Sequence, residues 1–560
     1  MTVQQQLVQL QQLHEVLSVV DLDQWTNDHD ISASWLKQTC RDLHRKAFEN
    51  NQRLIFVQTQ DWFADDDQKT GLVLKQLQQE LNAADISNFF VIIVTTNNNV
   101  DVQDLLLGSQ DPVPVQVINV TGKFIRHKTK QKNLYQYGNA DPVKISLSSL
   151  EPREQFLLSK SKTFCIYPWI HLHAYPTGEA YPCCHAEMKV GQIGNCRTQT
   201  LSDIWNSSAQ RKLRTNMLTE TANPACARCY EQEASGFFSG RQSANKHHGH
   251  HIDRVAQTTS DGQIEQFEMI YWDIRFSNLC NLKCRSCGHI FSSQWYADQA
   301  RLAGGDWKNK NQVLNYAGRT ETDMWEQLIP HLDYVEQIYF AGGEPLLMEE
   351  HYNILDELDR RGRHDVRLIY NTNFTQVRLK DRWVFEYWKK FKNVAVGASL
   401  DAQGTRAEYI RKGTNWEQVE SNRKLMLEIC PQVDFYISPT LSILNAHHLP
   451  DFHRDWVERG LIQAQDLNVN ILQDPVYYRI DAAPESYKKI LKKKFEDHLE
   501  WLRPQDLLKR ATVGFESAIK FMMATDNNHH MPEFWIKTQQ LDVLRQENLL
   551  QVLPELEALL

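Results

Sequence analysis

The sequence predicts an α/β protein: a partial (β/α)6 TIM-like barrel, preceded by a cysteine-rich segment and by a small N-terminal α/β domain. Three observations predict it. From residue 268 onward, six β-branched or aromatic runs alternate with stretches of helical period, the pattern of parallel strands joined by right-handed crossovers. Nine of the eleven cysteines fall between Cys165 and Cys287, less than a quarter of the 560 residues. Near the N-terminus, further apolar runs alternate with a helix-like stretch.

Taken in order, residues 1 to about 50 read as helical, since LVQLQQLHEVLSVV places apolar residues three and four apart. RLIFVQ (53–58), FFVIIVTT (89–96) and VPVQVINV (113–120) read as strands, with LVLKQLQQELNAA as a helix after the first, so a small α/β domain occupies 1–140. Residues 121–150 are polar and read as a linker. The segment 160–240 carries six cysteines and little periodicity apart from a helix in LSDIW…RKLRTNML; so little regular structure calls for a metal cross-link. SANKHHGHHIDR (243–254) is expected to be an exposed flexible connector, with metal binding by its histidines as the alternative. In the region 268–480 the strands are MIYWDIRF (269–276), VEQIYFA (335–341), VRLIYN (366–371), VAVGASL (394–400), DFYISPTL (434–441) and LNVNIL (467–472). Six are too few to close an eight-stranded barrel. Residues 483–560 read as a helical region, with the charged run KKILKKKFEDHLEWL as a solvated helix face.

Charge and hydropathy exclude several classes. Lys and Arg total 61 against 70 Asp and Glu, a formal net charge of −9, so phosphate-driven nucleic-acid binding is not expected. No apolar run approaches a membrane span, and MTVQQQLVQL lacks the cationic start and apolar core of a signal peptide. The expected location is cytoplasmic, with no membrane partner. An odd number of crowded cysteines in a reducing compartment points to metal rather than disulfides.

The first constellation follows the strand MIYWDIRF: Cys280-x3-Cys284-x2-Cys287. Three thiolates from one loop suit a [4Fe–4S] cluster with one iron left open, which an amino-acid chelate such as S-adenosylmethionine can occupy. Zinc is the alternative, with His289 as a fourth ligand two residues beyond Cys287. After the next strand comes Gly342-Gly343-Glu344-Pro345, where two glycines allow a ligand close to the backbone and Glu344 can accept bonds from an ammonium.

These motifs resemble the radical S-adenosylmethionine (SAM) superfamily over about residues 268–475. The resemblance implies that Cys280, Cys284 and Cys287 hold a SAM-binding [4Fe–4S] cluster and that Gly342, Gly343 and Glu344 bind the cofactor's amino group. Tyr370-Asn371-Thr372-Asn373 is similar to the family's third-strand polar motif, and Ser399-Leu400-Asp401 to its fourth; by the same resemblance Asn373, Ser399, Asp401 and Arg411 line the cofactor pocket. Two departures stand out: Ser286 occupies the position of the family's usual aromatic, and DFYISPTLS lacks the fifth-strand glycine motif.

Upstream, Cys165 and Cys183 flank Gly178, and Cys226-x2-Cys229 follows. A hairpin with a glycine turn delivers two thiolates and a knuckle two more. Four-cysteine zinc is again the alternative occupant. The segment resembles the SPASM/twitch auxiliary-cluster domains of the same superfamily, which implies one auxiliary [4Fe–4S] cluster on Cys165, Cys183, Cys226 and Cys229. Cys184 is interchangeable with Cys183 on spacing alone. Here the cysteines precede the barrel, whereas in better-known SPASM enzymes they follow it.

The resemblance as a whole implies reductive cleavage of SAM, hydrogen abstraction from a C–H bond, a flavodoxin- or ferredoxin-like electron donor, and a peptide or protein substrate. Residues 1–140 are then a candidate docking module. Oxidation or epimerisation of a sugar or amino acid is the alternative reaction. A non-catalytic metal-binding scaffold is the alternative from outside enzymology.

Overall fold

The computed structural model describes four strands within the first 146 residues, then residues 147–234 and 238–560. The expected helices at 1–50 and 72–84, and Cys40, lie outside the described residues. The chain divides into two units, residues 1–131 with 500–507, and residues 132–499 with 508–560.

In the first unit β1 (Arg53–Gln58), β2 (Phe89–Thr95) and β3 (Val115–Asn119) pair in parallel, and β4 (Phe124–Ile125) closes the sheet antiparallel to β3. The three apolar runs of the sequence supply the three parallel strands. Only β4 falls in the stretch read as linker.

The second unit is built on an eight-stranded sheet. Its strands are β5 (His171–Ala174), β6 (Glu179–Tyr181), β7 (Gly194–Asn195), β8 (Tyr271–Ile274), β9 (Gln337–Phe340), β10 (Arg367–Thr372), β11 (Val394–Ala398) and β12 (Asp434–Ile437). The order is β12-β11-β10-β9-β8-β5-β6-β7, parallel from β12 through β5 and antiparallel through the β6–β7 end. β5, β8 and β11 are buried along their whole length, as expected of parallel strands covered on both faces. The helix Glu349–Arg360 shows how one face is covered: Tyr352, Leu355 and Leu358 recur at helical spacing and are buried, and Gly362, at φ +69°, follows its end.

Two expectations are corrected here. LNVNIL does not run as a full sixth strand of the main sheet: Leu467 meets β12 at a single parallel bridge with Ile437, and beyond Pro439 Asn470–Ile471 pairs only with Thr440–Leu441. The sixth parallel strand comes instead from the cysteine-rich segment: β5 lies beside β8 in register His171↔Tyr271 and His173↔Asp273. The 243–254 connector is not an exposed flexible loop either. It forms the helix Gly240–His248 and a 3-10 stretch, Gly249–Gln257, with His248 and Ile252 buried. Ser239 caps that helix by accepting from the N–H of Gln242, a local signal that outweighs the polar composition.

Toward residue 560 lie the helices Glu485–Leu502, Arg510–Ala524, Met531–Arg545 and Leu549–Val552. No helix among the described residues is long and apolar enough to cross a membrane.

Candidate functional site

The C-terminal ends of the parallel strands open onto a cleft of about 290 Å³, where ligand sites of open α/β sheets gather. Eight residues expected at the site line it together: Cys280, Cys284, Cys287, Gly342, Gly343, Asn373, Ser399 and Arg411.

The loop after β8 is held from several sides. Buried Asn278 donates from Nδ2 to the carbonyls of His289 and Val313 and accepts from the N–H of Asn315. The N–H of Leu282 donates to Cys280 Sγ at 3.4 Å. Cys284 pairs with Arg411 in a short antiparallel bridge, and Arg411 Nη1 lies 3.7 Å from Cys284 Sγ. Gly343 packs against the same loop, its N–H donating to the Ser277 carbonyl while Glu344 N–H donates to that of Leu279.

Two expected residues stand behind the wall rather than on it. Glu344 is buried, and its carboxylate accepts from Thr372 Oγ1 at 2.6 Å, the N–H of Asn373 at 2.7 Å and the N–H of Leu346 at 3.1 Å. Burial pushes it up to about 7 although these donors oppose the shift. Its contacts within the chain therefore hold the Thr372–Asn373 turn. Asp401 accepts from Arg411 Nε at 2.8 Å and Nη2 at 3.0 Å, and from the N–H of Thr440, so it aims the guanidinium at the cysteines.

Sequence reasoning missed a brace. Arg285, between Cys284 and Cys287, is fully buried, stacks over Tyr409 and donates to Asp542 and, at 2.7 Å, to Glu547. The partners lie more than 250 positions away, and the only local signal is an arginine inside the cysteine motif. Among aromatics, Phe291 and Tyr339 line the cleft, and so does Ser286. His289 does not: it packs edge-on against Trp307, so the zinc alternative finds no fourth protein ligand at that position.

The upstream cysteines form a second centre. Gly178, at φ +95°, makes the hairpin turn between β5 and β6, donating to the Tyr175 carbonyl at 2.9 Å. Cys165, Cys183, Cys226 and Cys229 then line one small cavity of about 20 Å³, with His185 and Arg241. Backbone N–H groups of Gly240 and Arg241, at the start of their helix, lie beside Cys229 and favour its thiolate, although burial still raises it. Cys184 is not among the lining residues. It turns to the Asp273 carboxylate, and burial followed by that charge pushes its thiol up to about 12. Cys196 and Cys430 are buried elsewhere.

The donor chemistry fits metal at both places. Burial, and then neighbouring sulfurs, push the Cys183 thiol up; burial and Cys284 push Cys287 up to about 12, and burial and Cys229 push Cys226 up to about 11. Thiols that disfavour one another's ionisation in this way suit a cation that supplies the missing positive charge. Between the two centres runs a buried polar row on β5 and β8. His171 stacks on Tyr271 with centroids 4.2 Å apart, His173 Nδ1 lies 2.8 Å from Asp273 Oδ2, and Arg275 Nε lies 3.6 Å from Asp273 Oδ1. Burial would raise Asp273, but His173 and Arg275 hold it well below the usual carboxylate range. Arg275 reaches the cleft.

Residues 165–230 match the family model of SPASM, an iron-sulfur cluster-binding domain. No curated protein matches the chain. Among solved structures it is similar to native anSMEcpe with bound AdoMet, at 23% identity over 40% of this chain and 59% of that one, with a TM-score of 0.29. The same enzyme with AdoMet and the Cp18Cys peptide matches at 22% identity over 40% and 58%, TM-score 0.28. Streptococcus suis SuiB bound to S-adenosylmethionine matches at 12% identity over 52% and 62%, TM-score 0.25. In each case the match spans less than two thirds of the other chain.

Proposed function

We infer that this chain is a SPASM-containing radical SAM enzyme, with a SAM-binding [4Fe–4S] cluster on Cys280, Cys284 and Cys287 and an auxiliary [4Fe–4S] cluster on Cys165, Cys183, Cys226 and Cys229. One observation carries the reading: the three cysteines of the C-x3-C-x2-C loop share a single cleft with Gly342, Gly343, Asn373, Ser399 and Arg411. When bound, the cluster and SAM supply one-electron cleavage of the sulfonium and hydrogen abstraction from a C–H bond.

The chain's own residues bind, orient and exclude. Gly343 lets its turn pack directly on the Asn278–Leu279 backbone, where a Cβ would clash, and so fixes the wall that carries the cysteine loop. Arg411, fixed by Asp401, sets a positive charge beside Cys284 and favours its thiolate. Glu344 acts in this state as a positioning residue for Asn373. The helices behind Arg285 keep the cysteine loop from yielding.

We take the substrate to be a peptide or protein, received by the part of the cleft that Arg275 and Tyr339 line, and residues 1–140 to be its docking module. Unchanged peptide binding after removal of 1–140 would exclude that module. The test of the whole reading is anaerobic reconstitution. About eight irons per chain are expected from two [4Fe–4S] clusters, together with reductant-dependent 5′-deoxyadenosine. Zinc in place of iron, or no cofactor cleavage by well-loaded protein, would overturn it.

A further inference from the structure

The histidine-rich connector carries a feature that neither cysteine centre uses. On a continuous helix, successive side chains point about 100° apart. In the 3-10 stretch Gly249–Gln257 the backbone departs from helical values at His251, with φ −91° and ψ 17°. The imidazoles of His250 and His251 are thereby brought together, 4.1 Å between centroids and tilted by 42°. Both Nε2 atoms converge on one oxygen, Glu336 Oε2, at 3.1 Å and 3.0 Å. The three donor atoms all lie within 4.8 Å of one another.

Glu336 is delivered from a rigid base. It immediately precedes β9, its N–H donates to the Ile270 carbonyl, and its own carbonyl accepts from the N–H of Arg367. It therefore sits at the N-terminal edge of the sheet, the end opposite the cleft.

We propose that His250, His251 and Glu336 form a site for a divalent cation of the zinc class, separate from both cysteine centres. Zinc bonds to imidazole nitrogen and carboxylate oxygen are about 2.0 to 2.2 Å long, which at right-angle to tetrahedral openings sets donors about 2.9 to 3.5 Å apart. The two observed N···O separations fall in that range. Two imidazoles and one carboxylate are a borderline-soft set that suits zinc better than calcium or magnesium. The side chains of His250 and His251 are 19% and 12% exposed and that of Glu336 is 44% exposed, so water can complete the coordination.

The cation joins residues 251 and 336, and the segment it closes contains the whole Cys280–Cys287 loop. It staples the connector leading from the auxiliary cysteines to β8 onto the foot of β9. Ion pairing between protonated histidines and Glu336 is the competing account, and metal uptake separates the two.

The experiment uses the full chain with its iron loaded, titrated with Zn2+ under anaerobic conditions and gel-filtered. One zinc per chain is expected with no loss of iron. The zinc-edge X-ray absorption should show a nitrogen and oxygen shell at about 2.0–2.2 Å and no sulfur at about 2.3 Å. Glu336→Gln, which keeps the shape and a hydrogen-bond acceptor, and His251→Ala should each weaken zinc binding about tenfold or more while iron content and circular dichroism stay as in the wild type. Zinc should raise the melting temperature of the wild type and not that of Glu336→Gln. A sulfur shell, no zinc uptake at micromolar free metal, or equal uptake by wild type and both variants would overturn the proposal. Should one variant fold poorly, the absorption spectrum of the wild type decides by itself.

Discussion

Replacing Gly343 with alanine tests the cleft geometry most directly. An added Cβ would stand 2.2 Å from the Leu279 carbonyl oxygen, 2.6 Å from its carbon and 2.7 Å from the Asn278 carbon. Non-bonded heavy atoms settle at about 3.5 Å, so roughly 1 Å of separation has to be found. No side chain can give it, because all three obstacles are backbone. The loop cannot simply swing away either: the Leu279 carbonyl accepts from Glu344 at 2.7 Å and buried Asn278 is bonded on both sides. The displacement therefore reaches Cys280, one residue on. Overpacking of this kind costs about 1–3 kcal/mol of stability, and a misplacement of about 1 Å at reacting groups lowers a rate about 100-fold. The assay is 5′-deoxyadenosine formation by anaerobically loaded protein, with iron content and the urea midpoint measured alongside. Gly288→Ala is the matched control, since it adjoins Cys287 yet its added Cβ meets nothing within 4 Å. It should stay within about twofold of wild type, as surface substitutions usually do. Near-wild-type cleavage by Gly343→Ala, or equal damage by Gly288→Ala, would refute the argument that backbone crowding here sets the position of Cys280.

Three further outcomes are expected. Cys183→Ala and Cys226→Ala should each lower iron from about eight to about four per chain, whereas Cys184→Ala should leave it unchanged; the reverse pattern in an iron assay would reassign the auxiliary ligand. Asp401→Ala leaves the nearly buried Arg411 without its carboxylate, which should cost about 3–5 kcal/mol in urea unfolding, and a change within about 0.5 kcal/mol would mean that Arg411 finds another partner. Stability should fall in acid: burial, then the charge of Arg382, holds His351 down to about 3 against about 6.5 when unfolded. Between those values the unfolded chain binds the extra proton, so this contribution is complete above about pH 6.5 and is lost as pH falls toward 3. The urea midpoint of His351→Phe should decline less than that of wild type between pH 7 and pH 5, and parallel curves would exclude His351 as a source of the acid sensitivity.

Two cysteine groupings, C-x3-C-x2-C and C-x2-C, were legible because their short spacings leave the backbone little freedom to separate them. The parallel strands from β8 to β12 were legible as apolar runs between helical ones. What escaped was set by register and by distant pairing. Cys183 and Cys184 differ only in the direction each side chain takes in the bend and turn that follow β6. Spacing alone could not supply the course of that turn. β5, in HLHA, hides its strand character because His171 and His173 read as polar, although both are buried against β8. Arg285 shows the same limit, since its acidic partners, Asp542 in the helix Met531–Arg545 and Glu547 just after it, lie near the far end of the sequence. In SANKHHGHHIDR, composition suggested a loose tether, while a capped helix and packing at Ile252 decided otherwise.

The pairing of β5 with β8 bears on how such a protein can be taken apart. A chain begun at residue 268 would keep the C-x3-C-x2-C loop and all its cleft partners, and on paper it looks like a minimal catalytic fragment. It would also strip β8 of its neighbour, baring a fully buried strand as a raw apolar edge with unanswered N–H and C=O groups, the kind of surface that recruits another copy and aggregates. The cysteine-rich segment is therefore no detachable accessory that could be grafted elsewhere or trimmed away. It is part of the same sheet, and any dissection of the two cysteine centres has to proceed by point substitution within the intact unit.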